Sequence, residues 1–180
     1  MSETGPFENR SSGATIDAIN ELTAAARAAG VPVVFSNYAF RDDLHDAGLL
    51  APMPFAADMR RSAPLIGLDP RVRREASDAE VWHNRPSAFF RSDLEHVLGT
   101  LGVRTLVLAG VSVNNAIAAT ARDAFARDIP CLVPREAVGA APFEPAEELD
   151  AYFRALDTWT AEVAPLADVV ARLSALNRLS

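Results

Sequence analysis

Lysine is absent from this chain of 180 residues, because all 17 basic residues are arginines. No side-chain amine is therefore available as a general acid, a general base or a Schiff-base former. Cysteine occurs once, as Cys131, which excludes an intrachain disulfide and a zinc site built from several cysteines. The surrounding segment Ile129–Val133 is typical of a buried strand, where a free cysteine behaves as a small apolar residue.

Long hydrophobic runs and basic patches are also missing. No apolar stretch approaches the roughly 18 residues of a membrane span, and no basic segment followed by an apolar one opens the chain. The net charge of −7 is spread along the sequence, without arginines interleaved with aromatics. These absences predict a soluble, cytoplasmic protein with no membrane or nucleic-acid partner. Aspartates and histidines do not occur together at metal-ligand spacing, so we expect no metal and no cofactor.

What is present is an alternation of helical and strand patterns over one expected domain, residues 1–180. Strands are predicted at Pro32–Ser36, Glu80–Trp82, Arg104–Ala109, Ile129–Val133 and Asp168–Ala171. Helices are predicted at Thr15–Ala29, Asp93–Thr100, after Asn114 and at Glu147–Val163. This alternation favours a three-layer α/β/α, Rossmann-like domain with a mostly parallel sheet. The long connection Asn37–Asp78 has no clear period and is predicted to be a lid.

The stretch Leu106–Ala121 is the most informative part of the sequence, because an apolar strand leads through a polar turn into a helix. Open α/β sheets build their sites at such points. The stretch resembles the signature of the isochorismatase-like (cysteine hydrolase) superfamily, Gly-Val-x-Thr-x-x-Cys followed by Thr-Ala-x-Asp-Ala. Its counterparts here are Gly110–Ala116 and Thr120–Ala124. Two further blocks, Ala24–Asn37 and His83–Leu94, are similar to family segments in the same order.

The resemblance implies three catalytic positions: an aspartate ending the first strand, a lysine before a Ser-Ala-Phe block, and the cysteine. The carboxylate takes the thiol proton, and the ammonium lowers the pKa of the thiol. In this chain His83 stands at the lysine position and Ala116 at the cysteine position. A small residue there fits the isochorismatase branch, in which the aspartate protonates an enol ether that water hydrolyses. A standard cysteine hydrolase is excluded, because Cys131 lies on a different strand.

The aspartate position has no counterpart in the chain. The family's first strand precedes the first helix, yet Met1–Arg10 is too polar for a buried central strand, and Met1–Phe7 looks like the segment that follows the aspartate. Either the chain begins one residue late, or the strand is lost and compensated by rearrangement or by a neighbouring chain. Since a missing strand leaves two rows of backbone groups unpaired, we expect a gap, or a borrowed strand, between Val33–Val34 and Leu106–Val107.

Several candidate side chains have both a functional and a structural interpretation. His83 could donate a proton or bind an anion, or it could hydrogen-bond backbone at a strand end. Arg85 could bind a substrate carboxylate or form a surface ion pair. Asn114 and Asn115 could line an anion site or serve as helix caps. The proposed substrate-binding residues are Trp82, Arg85, Phe89, Val111, Ser112, Asn114 and Asn115, and Trp82 and Phe89 could equally be core aromatics.

The resemblance also implies a non-proline cis peptide between Val111 and Ser112, which turns the N–H groups of Asn115 and Ala116 toward the substrate. The expected function is a hydrolase without the cysteine nucleophile that acts on a small carboxylated molecule. The alternative is a catalytically silent protein of the same fold that binds a ligand or a partner. The family commonly forms dimers or larger oligomers, for which helix Glu147–Val163 and the connection Asn37–Asp78 offer surface.

Overall fold

A computed structural model describes residues 12–64, 66–141 and 144–176. The helices in these ranges are α1 (Ser12–Ala28), α2 (Leu94–Thr100), α3 (Ala118–Phe125), α4 (Leu149–Trp159) and α5 (Leu166–Leu176). The strands are β1 (Val34–Tyr38), β2 (Ala79–His83), β3 (Leu106–Val107), β4 (Gly110–Val111), β5 (Cys131–Pro134), β6 (Val138–Gly139) and β7 (Glu162–Ala164). Every strand pair is parallel, which confirms the predicted α/β class.

Helix α1 forms because its apolar side chains repeat with a helical period and bury one face. Ile16, Leu22 and Ala26 are each at most 8% exposed. The helix ends because Gly30 adopts a φ of +68°, and the Val31 N–H then bonds the Ala26 carbonyl at 2.9 Å. α1 packs on α5 through a cluster that includes Val169. Within the described ranges no helix combines the length and apolar character needed to cross a bilayer.

The strands of the described ranges form three hydrogen-bonded groups. β1 pairs with β2, β5 lies between β3 and β7, and β4 pairs with β6. Every residue of β5 is buried, because this strand has neighbours on both edges and helices on both faces. Both residues of β3, in contrast, are only half-buried, although β3 also packs against helices on both faces.

The strands β1 and β3 lie in one layer without pairing to each other. Val33, Val107 and Ala109 pack against the cluster formed by α1 and α5. On the opposite face, Val34 and Leu106 pack against a second cluster formed with α2 and α3. Yet, among the described residues, β1 pairs with β2 alone and β3 with β5 alone. Direct pairing of β1 with β3 would have contradicted the expected gap, and the described residues show no such pairing.

The predicted strand at Asp168–Ala171 is wrong, because this segment lies inside helix α5. Its two adjacent valines favoured a strand, but Val169 belongs to a helical stripe of buried residues that begins at Leu166. The last strand is instead β7, which the sequence analysis placed at the end of a helix. Helix α4 ends at Trp159, and the Asp157 carboxylate then accepts the Val163 N–H at 2.8 Å, which stabilises the turn into β7.

The segment predicted to be a lid folds around a small core of its own. Phe40, Ala47, Ala56 and Met59 are buried together, and short 3₁₀ turns replace regular elements. The backbone of Phe40 also bridges to Arg60. The Asp46 carbonyl of this segment accepts hydrogen bonds from Asn84 and Arg85, so the segment lies against the chain just after β2.

Candidate active site

Two of the sequence blocks that carry the family resemblance meet at the carboxyl ends of the strands. The buried Ala88 N–H, in the Ser-Ala-Phe block that follows β2, donates to the Thr120 hydroxyl on α3 at 3.0 Å. This bond gives the signature threonine a structural task, since it fixes the segment after His83 to the helix after Ala116. The structure thus brings the predicted lysine and cysteine positions to one end of the sheet.

The signature turn adopts an unusual backbone. The Val111–Ser112 peptide is cis, as predicted. The next residues, Val113–Ile117, form a π-helical turn that continues into α3. The Ser112 carbonyl accepts the N–H of Asn115 at 3.3 Å and that of Ile117 at 3.1 Å. One of the two N–H groups expected to face the substrate, that of Asn115, therefore points at Ser112 here. Half-buried Ala116 contributes only a methyl group.

Ser112 has a carboxylate partner that the sequence analysis missed. Its hydroxyl donates to Glu144 Oε1 at 2.5 Å, and Glu144 Oε2 accepts the Ala141 N–H at 2.9 Å. Ser112 is 5% exposed, so this pair holds the signature turn against the segment that leads into α4. The two residues are 32 positions apart, and no local sequence signal connects them.

Asn114 points outward and contacts helix α4. Its side chain hydrogen-bonds the Tyr152 hydroxyl, which in turn donates to Glu148. The bond to Glu148 is the main cause that raises the pKa of Tyr152 above its ordinary value, while the bond to Asn114 opposes this shift. The residue at the cap position of the π-helical turn is Ser112, so Asn114 does not serve as that cap.

His83 is almost completely buried and uses one ring nitrogen for the backbone. Its Nδ1 lies 2.6 Å from the Arg85 carbonyl, and its ring stacks on Tyr38 with centroids 5.4 Å apart. Because a carbonyl only accepts, Nδ1 carries the proton. Burial lowers the pKa of His83, and the bond to Arg85 only partly opposes this. The imidazole is therefore neutral at pH 7, with Nε2 an acceptor that has no hydrogen-bond partner among the described residues.

Arg85 binds the lid. Its NH1 donates to the Asp46 carbonyl at 2.9 Å and to the Asn84 carbonyl at 2.5 Å. No ion pair joins it to a carboxylate in the described ranges. Gly48 lies against the same guanidinium: its φ is +56°, and a Cβ added there would sit 2.5 Å from Arg85 NH2. Arg85 thus fixes the position of the lid segment Asp46–Gly48, a contact that sequence reasoning did not foresee.

Asn84, between the two predicted residues, was also missed. It is 8% exposed, and its Nδ2 donates to the Asp46 carbonyl at 3.2 Å. Its Oδ1 is buried without a hydrogen-bond partner. The sequence does not show that this asparagine lacks a hydrogen-bond partner at Oδ1 among the described residues, because this depends only on packing.

Trp82 and Phe89 have surroundings different from those of His83. Trp82 lies on the opposite face of β2 and is half-buried beneath the Arg61 guanidinium, 5.4 Å from the ring centroid. Phe89 belongs to the core cluster of α2 and α3, and Arg127 covers its ring at 4.7 Å. Both positions agree with the structural interpretation of these aromatics, while a role in substrate binding remains a prediction.

Cys131 has the environment of a core residue. It is 5% exposed on β5, and burial raises the pKa of its thiol to about 11. A thiol with such a pKa is protonated at neutral pH and is not a nucleophile. In the described part of the chain, no three His, Cys, Asp or Glu side chains are grouped so that they could hold a metal ion.

Comparisons with known proteins agree with this geometry. The model of the isochorismatase domain matches residues 3–168. The chain is 32% identical over 136 residues to maleamate amidohydrolase of Pseudomonas putida, covering 74% of this chain and 64% of that protein. It is 30% identical over 139 residues to the ureidoacrylate amidohydrolase RutB of Pseudomonas savastanoi pv. phaseolicola, covering 66% and 55%. The chain thus spans between about half and two thirds of the length of these relatives.

A solved structure supports the fold. A cysteine hydrolase from Pseudomonas syringae pv. phaseolicola superposes with a TM-score of 0.91, at 24% identity, covering 98% of this chain and 87% of that one. At this identity the likeness concerns the fold alone. The domain match, however, extends from near the first residue to α5 and includes all three sequence blocks. The chain belongs to the isochorismatase family.

Proposed function

We propose that this protein is a hydrolase that acts on a small carboxylated molecule without a cysteine nucleophile. The observation that carries the proposal is the state of His83: a buried, neutral imidazole whose Nε2 has no partner among the described residues. It stands where the family resemblance implies a catalytic group. The relatives named above are amidohydrolases, which supports an amide as the bond that is cleaved.

In the proposed reaction, His83 acts as a general base toward water. Nε2 takes a proton from a water molecule as the water oxygen bonds to the substrate carbonyl carbon. The same proton then passes to the leaving nitrogen as the carbon–nitrogen bond breaks, so that the products are an acid and ammonia or an amine. The other catalytic group that the family resemblance implies, the aspartate at the end of the first strand, belongs to a part of the fold outside the described residues.

Arg85 is the proposed partner of the substrate carboxylate. Both of its bonds to backbone carbonyls use NH1, and the described residues offer no hydrogen-bond partner to Nε or NH2. These two nitrogens form the edge of a guanidinium that binds a carboxylate bidentately. Because NH1 already holds the Asp46 carbonyl, the guanidinium is oriented before the substrate arrives.

The test is turnover of maleamate and ureidoacrylate by the wild type and by His83→Gln, with ammonia release as the measured quantity. We expect the variant to lose about 100-fold or more in kcat, the usual contribution of a general base. The matched control is His96→Gln, an exposed histidine on α2. If His83→Gln and the control were equally active, His83 would not be the base.

A second candidate is a catalytically silent protein that binds a small ligand. Two observations favour it. The Ser112 hydroxyl in the signature turn is already bound to Glu144, and Ala116 occupies the position of the nucleophile. Calorimetric titration with the same compounds separates the two candidates. Saturable binding without ammonia release would support the silent protein and would contradict the hydrolase.

A further inference from the structure

Asn84 carries a buried acceptor for which the described residues provide no donor. Its side chain is more than nine-tenths buried, and Oδ1 has almost no solvent contact and no hydrogen-bond partner among the described residues. Such atoms are rare, because a buried polar group without a partner loses the hydrogen bonds that it made to water in the unfolded chain. By contrast, both polar atoms of the Asn20 amide have a partner: Oδ1 accepts the Arg73 N–H at 2.7 Å, and Nδ2 donates to the Arg71 carbonyl at 2.9 Å.

The unused atom is the oxygen, and rotating the amide does not change this conclusion. Nδ2 lies 3.2 Å from the Asp46 carbonyl, which can only accept a hydrogen bond. Exchanging the two amide atoms would place two acceptors against each other and leave an N–H unpaired instead. Oδ1 therefore keeps a lone pair that a donor from outside the described residues could use.

The neighbouring residue offers a second acceptor. His83 is neutral and holds its proton on Nδ1, so that Nε2 presents a lone pair. Two consecutive residues at the carboxyl end of β2 thus each have an acceptor for which the described residues supply no donor. A primary amide supplies two N–H groups, whereas a carboxylate supplies none and would meet only lone pairs.

We propose that Asn84 is a specificity-determining residue that accepts an N–H of a primary amide or carbamoyl group in the ligand and thereby discriminates the amide from the corresponding acid. The inference rests on the proposed function, because it assigns a substrate group to the same site. It adds a reason for product release: conversion of the amide to a carboxylate removes the donor that Asn84 requires.

The test compares maleamate with maleate and acetamide with acetate, each titrated calorimetrically into the wild type, Asn84→Leu and the control Asn20→Leu. If an amide is turned over, its KM and the inhibition constant of its acid replace the dissociation constants. We expect the wild type to bind each amide more tightly than its acid. Asn84→Leu should lose about tenfold in amide affinity, the value of one hydrogen bond, and change acid affinity less than twofold.

The melting temperatures of the same variants distinguish a ligand-binding Asn84 from one that only stabilises the fold. Leucine removes an unpaired acceptor, and the Asp46 carbonyl keeps its bond from Arg85, so the melting temperature of Asn84→Leu should not fall. That of Asn20→Leu should fall, since it breaks two satisfied bonds. A lower melting temperature for Asn84→Leu with unchanged amide preference, or a wild type that does not prefer amides, would overturn the proposal. Preference without ammonia release would leave the proposal standing and contradict only the hydrolase.

Discussion

The Arg27 guanidinium holds the Asp78 carboxylate through two hydrogen bonds, NH2 to Oδ2 at 2.6 Å and Nε to Oδ1 at 3.1 Å. The Asp78 side chain is only 2% exposed, and the pair joins helix α1 to the segment that enters β2. Asp78 also accepts the Glu75 N–H at 2.7 Å, so that the carboxylate organises the turn ahead of the strand.

Removing this carboxylate charge should therefore be costly. We expect Asp78→Asn to lower the free energy of unfolding by about 3 kcal/mol, because a charged Arg27 is left poorly paired in a largely buried position. Urea unfolding measures the effect. The control is Glu162→Gln, which removes the exposed ion pair with Arg172 and should cost less than about 1 kcal/mol. If both variants lost the same free energy of unfolding, burial would not be what makes the Arg27–Asp78 pair important.

The same pair predicts how stability depends on pH. The bond from Arg27 holds the pKa of Asp78 below its ordinary value, and Arg71 lowers the pKa of Asp69 to about 2. A depressed pKa in the folded state stabilises the protein above the unfolded value of about 3.9 and is lost as pH falls through the folded value. The free energy of unfolding should drop between about pH 4 and pH 2, and the drop should be smaller in Asp78→Asn. An unchanged slope in the variant would contradict this assignment.

Gly48 and Gly30 separate steric contact from backbone strain. Both have positive φ, but a Cβ meets Arg85 NH2 at 2.5 Å only at Gly48, while nothing lies within 4 Å at Gly30. Gly30→Ala should cost about 1 kcal/mol from its backbone alone, and Gly48→Ala should cost more. In an Arg85→Ala background the two costs should become similar. Urea unfolding of the two glycine variants, of Arg85→Ala and of the two double variants tests this, and a persistent difference in the Arg85→Ala background would exclude Arg85 as the cause.

The bond between Ser112 and Glu144 predicts a measurable coupling. Ser112→Ala and Glu144→Gln each disrupt a charge-assisted hydrogen bond of 2.5 Å. Their effects on the free energy of unfolding should not add, and the double-mutant cycle should give an interaction of about 1–2 kcal/mol. The control combines Ser112→Ala with Thr158→Ala on the exposed part of α4. The effects of these two substitutions on the free energy of unfolding should be additive. An additive cycle for Ser112 and Glu144 would show that they do not interact in solution.

Sequence reasoning identified the parts of the candidate site that are continuous in the chain. The segments His83–Leu94 and Gly110–Ala116 each carry their own pattern, and the strand-to-helix turn at Leu106–Ala121 follows from hydrophobic period alone. Glu144 could not be found, because its partner Ser112 is reached only through the topology of β4 and β6. The wrong strand prediction at Asp168–Ala171 has a simpler cause. Two adjacent valines favoured a strand, although the buried residues Leu166, Val169 and Leu173 follow helical spacing.

Within the described residues, β1 and β3 each leave one edge unpaired, and this gives a direct test of the expected gap or borrowed strand. In β3 the N–H groups alternate: that of Leu106 bonds the Pro130 carbonyl and that of Leu108 the Leu132 carbonyl, each at 2.9 Å. Those of Val107 and Ala109 point to the other edge, where the described residues provide no partner. In amide hydrogen exchange by NMR we expect strong protection at Leu106 and Leu108, and weak protection at Val107 and Ala109.

A strand from another chain would change both the exchange pattern and the mass. All four amides would then be protected, and light scattering at micromolar concentration would report a dimer or a larger assembly, for which exposed Trp159 on α4 offers contact surface. A protein that exchanges quickly at Val107 and Ala109 has an open edge in the middle of its sheet, whatever its mass. Full protection of all four amides in a monomer would contradict both alternatives, because a strand from the same chain would then have to occupy the space between β1 and β3.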